Sequence, residues 1–394
     1  MYWSLITQLN KKGLIIILFK SFFFIYYLYI AVISYGNIYL DGIGISASQI
    51  GYMVSTARAI SILILPIWGL AADYFGATKQ ILKLVVFGTI LSLLAFPQSE
   101  VYWIIFIIYI LFIIFEAPIV SLSDALVLNH LKDDSDQYGR FRSWGSIGYM
   151  VAVIPVGFMI EKTSARNIFF LGALVMLIAL INIFKLPEGG RSVKIAKITD
   201  FKLILKNQKL FKFLLFTFFL QVPLIANFTY YPIFFKSLGG GETLLGIALL
   251  LGAGSELIVF QKSTFFFKKF DLKFILLISA ISFSIRWGLI GFFPSISILV
   301  LTQLFHSLTF ALFHVTAVRH ISSLVGIDFQ ATGQNLYAST IALSTVAGSL
   351  LGGVVYDHLG GDSLYLIGSF ISISAGIIYF YYLNKKEAPA KARA

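Results

Sequence analysis

The chain contains no cysteine, which excludes disulfides, thiolate metal centres and cysteine nucleophiles. Charge is scarce: only 12% of the 394 residues are Asp, Glu, Lys or Arg, where a soluble domain carries about a quarter. Hydrophobic residues make up 58% and the mean hydropathy is +0.89, so a water-soluble fold could not hide the apolar surface. Also missing are an H-E-x-x-H helix, a G-x-S-x-G elbow and a Walker loop, and there is no ring-forming filter sequence of a channel. An enzyme, a metal site and a cofactor are therefore not expected. No cleavable signal peptide is expected either. The first apolar run is too long, lacks a small-residue cleavage site and reads as a membrane span.

What is present is a succession of long apolar runs. In lipid every backbone polar group must be satisfied internally, so the choice is helices or a closed barrel. Barrel strands would show alternating segments of about ten residues. Here the runs approach twenty residues and are apolar all round, as from Trp103 through Ile114 to Leu128, the length of a spanning helix. The runs fall near 14–40, 49–71, 80–97, 101–128, 140–160, 168–187, 213–236, 244–261, 274–293, 296–320, 334–356 and 363–383. The expected fold class is an all-α membrane protein of twelve transmembrane helices in two six-helix halves.

One connector is long and basic. Glu188 to Lys212 holds Arg191, Lys194, Lys197, Lys202, Lys206, Lys209 and Lys212 against Glu188 and Asp200. It divides the chain into an N-terminal half (1–187), a linker (188–212), a C-terminal half (213–383) and a tail (384–394). Basic residues gather on the cytoplasmic side of membrane proteins. With the linker inside, the even connectors hold Lys79, Lys83, Lys132, Arg140, Lys262, Lys268, Lys269, Lys273 and Arg319, while the odd ones hold only Lys162, Arg166 and Lys236. Both termini are then expected in the cytoplasm, and the protein in the cell inner membrane. The net charge of +12 thus reflects topology and not nucleic-acid binding. Two six-span halves joined by a long inner loop is the layout of major facilitator transporters, whose solute site lies near the midplane between halves.

Ionisable groups inside spans are costly and usually face a cavity or one another. The chain has Arg58 on the second run, Glu116 and Asp124 on the fourth, Arg142 on the fifth, Glu256 on the eighth, Arg286 on the ninth, and His306 and His314 on the tenth. Opposite chain directions put Asp124 and Arg142 at similar depth, so a contact between carboxylate and guanidinium fork is expected. Glu256 and Arg286 form a second candidate pair. Gln303, His306, Phe310 and His314 fall in one sector of the tenth helix, within about 80°. For His306, proton handling and a simple structural hydrogen bond stand level; for His314 the structural role is favoured. Tyr35, Asn37, Gln221 and Asn227 are candidate hydrogen-bonding groups for a ligand. Tyr26, Tyr27 and Tyr29 read as packing residues.

The stretch GLAADYFGATK, with Gly69, Asp73, Gly76 and Lys79, resembles the facilitator signature between the second and third spans. The usual basic residues are absent at Tyr74, Ala77 and Thr78. The strings APIVSLSDAL, YGRFRSWGSIGY, SELIVF, RWGLIG and QLFHSLTFALFHVTAVRHI resemble the phenylpropionate permease group of the major facilitator superfamily. They are similar also to lactose permease and the oligosaccharide–proton symporters. The resemblance implies a gating loop at Gly69–Lys79, solute contacts at Asp124 and Arg142, and a coupling network of Glu256, Arg286 and His306. Lactose permease carries a glutamate shortly after the tenth-span histidine, where this sequence has Thr309, so Glu256 or Asp124 must take any proton.

The sequence reading is therefore a monomeric, proton-coupled symporter of a small organic solute, with an aromatic carboxylate such as 3-phenylpropionate as the best fit. In that reading Arg142, or Arg286, binds the carboxylate and tenth-span aromatics flank the ring; Trp144 is suited to stack on either an aromatic ring or a sugar face, and Gln303 contributes to the site. A sugar or nucleoside symporter and a multidrug exporter are the alternatives.

Overall fold

A computed structural model describes residues 2–131, 138–188, 207–325 and 330–387, with no side-chain detail for 2–12, 263, 264, 331 and 382–387. Arg191, Lys194, Lys197, Lys202, Lys206 and Lys132 lie outside the described residues, as does the end of the tail. Among the described residues eleven helices are long and apolar enough to cross a membrane. They are α1 (Gly13–Gly42), α2 (Ala47–Phe75), α3 (Thr78–Gln98), α4 (Tyr102–Leu131), α5 (Tyr138–Lys162), α6 (Asn167–Lys185), α7 (Gln208–Ser237), α8 (Glu242–Lys262), α9 (Leu272–Phe292), α10 (Ile296–Val325) and Thr332–Tyr381. The last is fifty residues long and breaks at Gly360, whose φ of 85° is non-helical. It is labelled α11 (332–359) and α12 (361–381), giving twelve crossing segments. The positions follow the apolar runs of the sequence closely.

Local chemistry sets the ends. Gly76 turns the chain between α2 and α3 with φ 59°, a left-handed conformation that only glycine adopts without strain. Asn207 caps α7, its side chain accepting from the Lys209 and Leu210 amides at 3.1 and 3.2 Å, as an N-cap should. Asp357 does the same for α2, its carboxylate accepting from the Ala47 and Ser48 amides at 3.0 and 2.7 Å. Pro118 follows a break in α4 at Ala117.

The chain forms two compact units. One comprises 1–45, 56–195 and 241–246; the other comprises 46–55, 196–240 and 247–394. In the first unit α1 packs along α5 and α6, and α3 along α6 and α4. Small residues let backbones approach, as expected between helices in lipid. A Cβ on Gly148 of α5 would strike the backbone of Phe24 on α1, and one on Gly145 would strike the Tyr27 ring. In the second unit α7 and α9 pack against the α11–α12 stretch, and α9 against α10. Large apolar side chains remain exposed over both units, among them Leu63, Ile107, Phe184, Phe292 and Phe370, the surface expected where lipid replaces water.

Candidate functional site

In the first unit the membrane-embedded charges are separated by tyrosines. Asp124 of α4 accepts a 2.8 Å hydrogen bond from Tyr138. Arg142 of α5 donates to the Tyr27 hydroxyl and lies with its Cζ 4.0 Å from the centre of that ring. Arg142 stays within electrostatic reach of Asp124, yet the two form no ion pair. The expected direct contact is replaced because each charge finds a closer phenol: Tyr138 opens α5 one turn before Arg142, and Tyr27 lies across the α1–α5 seam. Glu116 follows the same rule, accepting from Tyr26 at 2.7 Å. Arg58 is exposed on α2, within reach of Tyr109. Tyr26 and Tyr27 thus hold charges, which corrects their reading as packing residues.

In the second unit Glu256, His306 and Arg286 form a chain of contacts. Glu256 Oε1 lies 2.7 Å from His306 Nε2, and Arg286 Nη1 lies 3.0 Å from His306 Nδ1. The imidazole stands between acid and guanidinium, so the expected direct Glu256–Arg286 pair is absent. Arg286 also donates to Thr309 Oγ1 and Gln303 Oε1, both at 3.0 Å. It is wholly buried, and its Nε has no partner among the described residues. A guanidinium can only donate. Nδ1 of His306 must therefore accept, which puts the ring's proton on Nε2, pointing at Glu256. His306 in this state is the neutral Nε2–H tautomer donating to a carboxylate.

α10 is distorted to present this group. Thr302–Phe305 is a 3₁₀ turn and Ser307–Leu312 a π turn, a bulge that helices commonly carry at functional positions. His306 and Phe310 stack at 5.2 Å and Phe310 and His314 at 5.9 Å, the single stripe expected from the sequence. Phe228 packs edge-on against His306 at 5.6 Å. His314 contacts the Tyr337 hydroxyl at 3.1 Å, a structural partner.

Other residues named from sequence lie elsewhere. Tyr35 is fully buried and donates to the Val153 carbonyl at 2.6 Å, so its hydroxyl ties α1 to α5 and offers a solute nothing. Asn37 is half-buried and has a partner of its own. Asn227 accepts from Tyr365 at 3.0 Å. Trp144 requires a correction. Two residues from Arg142, it points about 200° away around α5 and shares an exposed stripe with Ile147, Val151 and Phe158. The aromatic residues on the Arg142 face are Tyr138, one turn before it, and Tyr149, seven residues on and about 20° away. Heptad spacing alone would have found Tyr149. Within the signature stretch, Gly69 and Asp73 sit in the last turns of α2, and only Gly76 and Ala77 form the turn. Asp73 is exposed. Lys79 is buried at the start of α3 and meets Glu188 at 3.6 Å.

The pattern of relatives matches this architecture. The MFS_1-like family matches residues 16–367. The chain is 26% identical to the maltose permease of Geobacillus stearothermophilus over 375 residues, 94% of each chain. It is 27% identical to the probable 3-phenylpropionic acid transporter of Escherichia coli (strain K12), over 94% of this chain and 97% of that one. The crystal structure of the nucleoside transporter NupG superposes with a TM-score of 0.84 at 16% identity, covering 94% of this chain and 99% of that one; at that identity the likeness concerns the fold. The chain belongs to the MFS_1-like family and is a multi-pass secondary transporter of small solutes.

Proposed function

We propose that the protein is a proton-coupled symporter of a small organic anion, with an aromatic carboxylate such as 3-phenylpropionate as the best fit. The observation that carries the solute class is Arg142. Its guanidinium is held by the neutral Tyr27 while the nearby Asp124 is occupied by Tyr138, so it keeps a full positive charge for a ligand. A carboxylate matches its planar fork in a way a sugar hydroxyl does not. Tyr149 lies on the same face, two turns or about 10 Å further along α5, the far end of an aromatic carboxylate bound at Arg142. The likeness to a probable 3-phenylpropionic acid transporter agrees with this reading.

Glu256 is the proton site in this proposal. His306 already donates through Nε2, and a second proton on Nδ1 would meet an Arg286 N–H head on. Glu256 can take a proton on its second oxygen and keep the His306 bond.

A second reading is a neutral sugar, favoured by the likeness to maltose permease, with Asp124 and Arg142 binding hydroxyls. Reconstituted protein offered radiolabelled 3-phenylpropionate, maltose and a nucleoside separates the two. Uptake of the aromatic acid, stopped by a protonophore, is expected. Uptake of maltose without the acid refutes the anion reading, and protonophore-insensitive accumulation refutes the proton.

A further inference from the structure

The proposed transport cycle makes no use of Lys20. Lys20 lies on α1, seven residues after Gly13. It is half-buried and makes no ion pair among the described residues. Its Nζ lies 5.9 Å from the centre of the Phe141 ring and 6.0 Å from that of Trp144. Both rings belong to α5. Phe141 is buried, whereas Trp144 is 40% exposed.

The flank on which this contact opens decides its partner. Trp144 heads the stripe of Ile147, Val151 and Phe158, each at least 39% exposed. Arg142 leaves α5 on the opposite side, toward Tyr27. Lys20 thus meets α5 on the flank that carries this exposed apolar stripe, while Arg142 turns to Phe23 and Tyr27 in the α1–α5 seam. An unpaired ammonium inside a span needs an anion or a route to the interface. A ligand that supplies the anion and also covers an apolar stripe is amphiphilic. Trp at the apolar–polar boundary is where headgroups lie, and basic sites between transmembrane helices take anionic headgroups.

We propose that Lys20 and Trp144 bind the headgroup phosphate of an anionic phospholipid, whose acyl chain lies along Ile147, Val151 and Phe158. The net negative charge matters, because a zwitterionic headgroup carries its own ammonium and would set a like charge beside Lys20.

The test uses the full-length protein in nanodiscs. Brominated lipid quenches tryptophan at contact, and the emission difference between wild type and Trp144→Phe isolates Trp144. Brominated phosphatidylglycerol is expected to quench that component at a mole fraction about fivefold lower than brominated phosphatidylcholine, the equivalent of the ~1 kcal/mol that one lysine contributes at an anionic surface. Lys20→Gln should erase the preference and Lys20→Arg should keep it, with unchanged thermal midpoints as the control for folding. Equal quenching by both lipids in the wild type overturns the proposal. So does a preference that survives in Lys20→Gln. Loss of the preference on adding 3-phenylpropionate would place a soluble anion, and not lipid, at Lys20.

Discussion

Replacing Glu256 with glutamine removes a charge while keeping a hydrogen-bond acceptor in the same place. The amide oxygen still receives the Nε2–H of His306, so the α8–α10 contact and the Nδ1–Arg286 bond are retained. What changes is electrostatic. Contacts of 2.7 and 3.0 Å plus the imidazole ring set acid and guanidinium on the order of 8 Å apart, an attraction of about 2 kcal/mol at an effective dielectric near 20. That loss leaves the protein folded, but no proton can then be bound at position 256. A gradient of about 2 pH units is worth about 2.7 kcal/mol, so coupling one proton per solute permits roughly 100-fold accumulation. Wild-type proteoliposomes with an alkaline interior should approach that limit with the transported acid, whereas Glu256→Gln should stop at equal concentrations inside and out. Counterflow exchange, which needs no net proton movement, should persist. Accumulation above about tenfold in Glu256→Gln refutes the assignment and moves the proton to Asp124. Loss of exchange as well, in folded protein, makes Glu256 a solute ligand.

Three further outcomes follow from the geometry. Arg142→Ala removes the charge-assisted bond to solute and should weaken half-saturation by about 30- to 150-fold, the equivalent of about 2–3 kcal/mol, while the protein inserts normally; Tyr27→Phe, which keeps the ring and loses the hydroxyl, should cost less than tenfold. Trp144→Phe should leave uptake kinetics unchanged, because the ring stands on the far side of α5 from Arg142. Gly76→Val forces a branched residue into φ 59° and should lower thermal stability by about 1–3 kcal/mol, read by a thermal-shift assay in detergent.

The architecture was legible because lipid imposes one rule on every span. Twenty apolar residues must be helical, so the runs of the sequence and the helices of the structure coincide within a few residues. The gap between the runs 334–356 and 363–383 holds the break at Gly360, whose backbone is non-helical. The charged residues were also legible, since an ionisable group within an apolar run stands out. Their partners were not. Opposite charges at equal depth suggested direct pairs, but Tyr138, Tyr27 and His306 each intervene. A side chain's reach and the seam it faces depend on helix rotation, which residue type alone does not carry. Trp144 shows the same limit in reverse: its chemistry suited a ring-stacking role, and only its angle around α5 removes it from the Arg142 face. The π turn that lines up His306, Phe310 and His314 left no mark beyond the spacing of those rings.

The charge carried across the membrane with each solute tests the account most directly. One proton taken up with one carboxylate anion is electrically neutral. Uptake of 3-phenylpropionate should therefore follow an imposed pH gradient and ignore a potassium–valinomycin potential of either sign, with no current on a solid-supported membrane. A current that scales with the imposed potential, or uptake indifferent to the pH gradient, contradicts the pairing of an arginine-bound anion with a proton on Glu256.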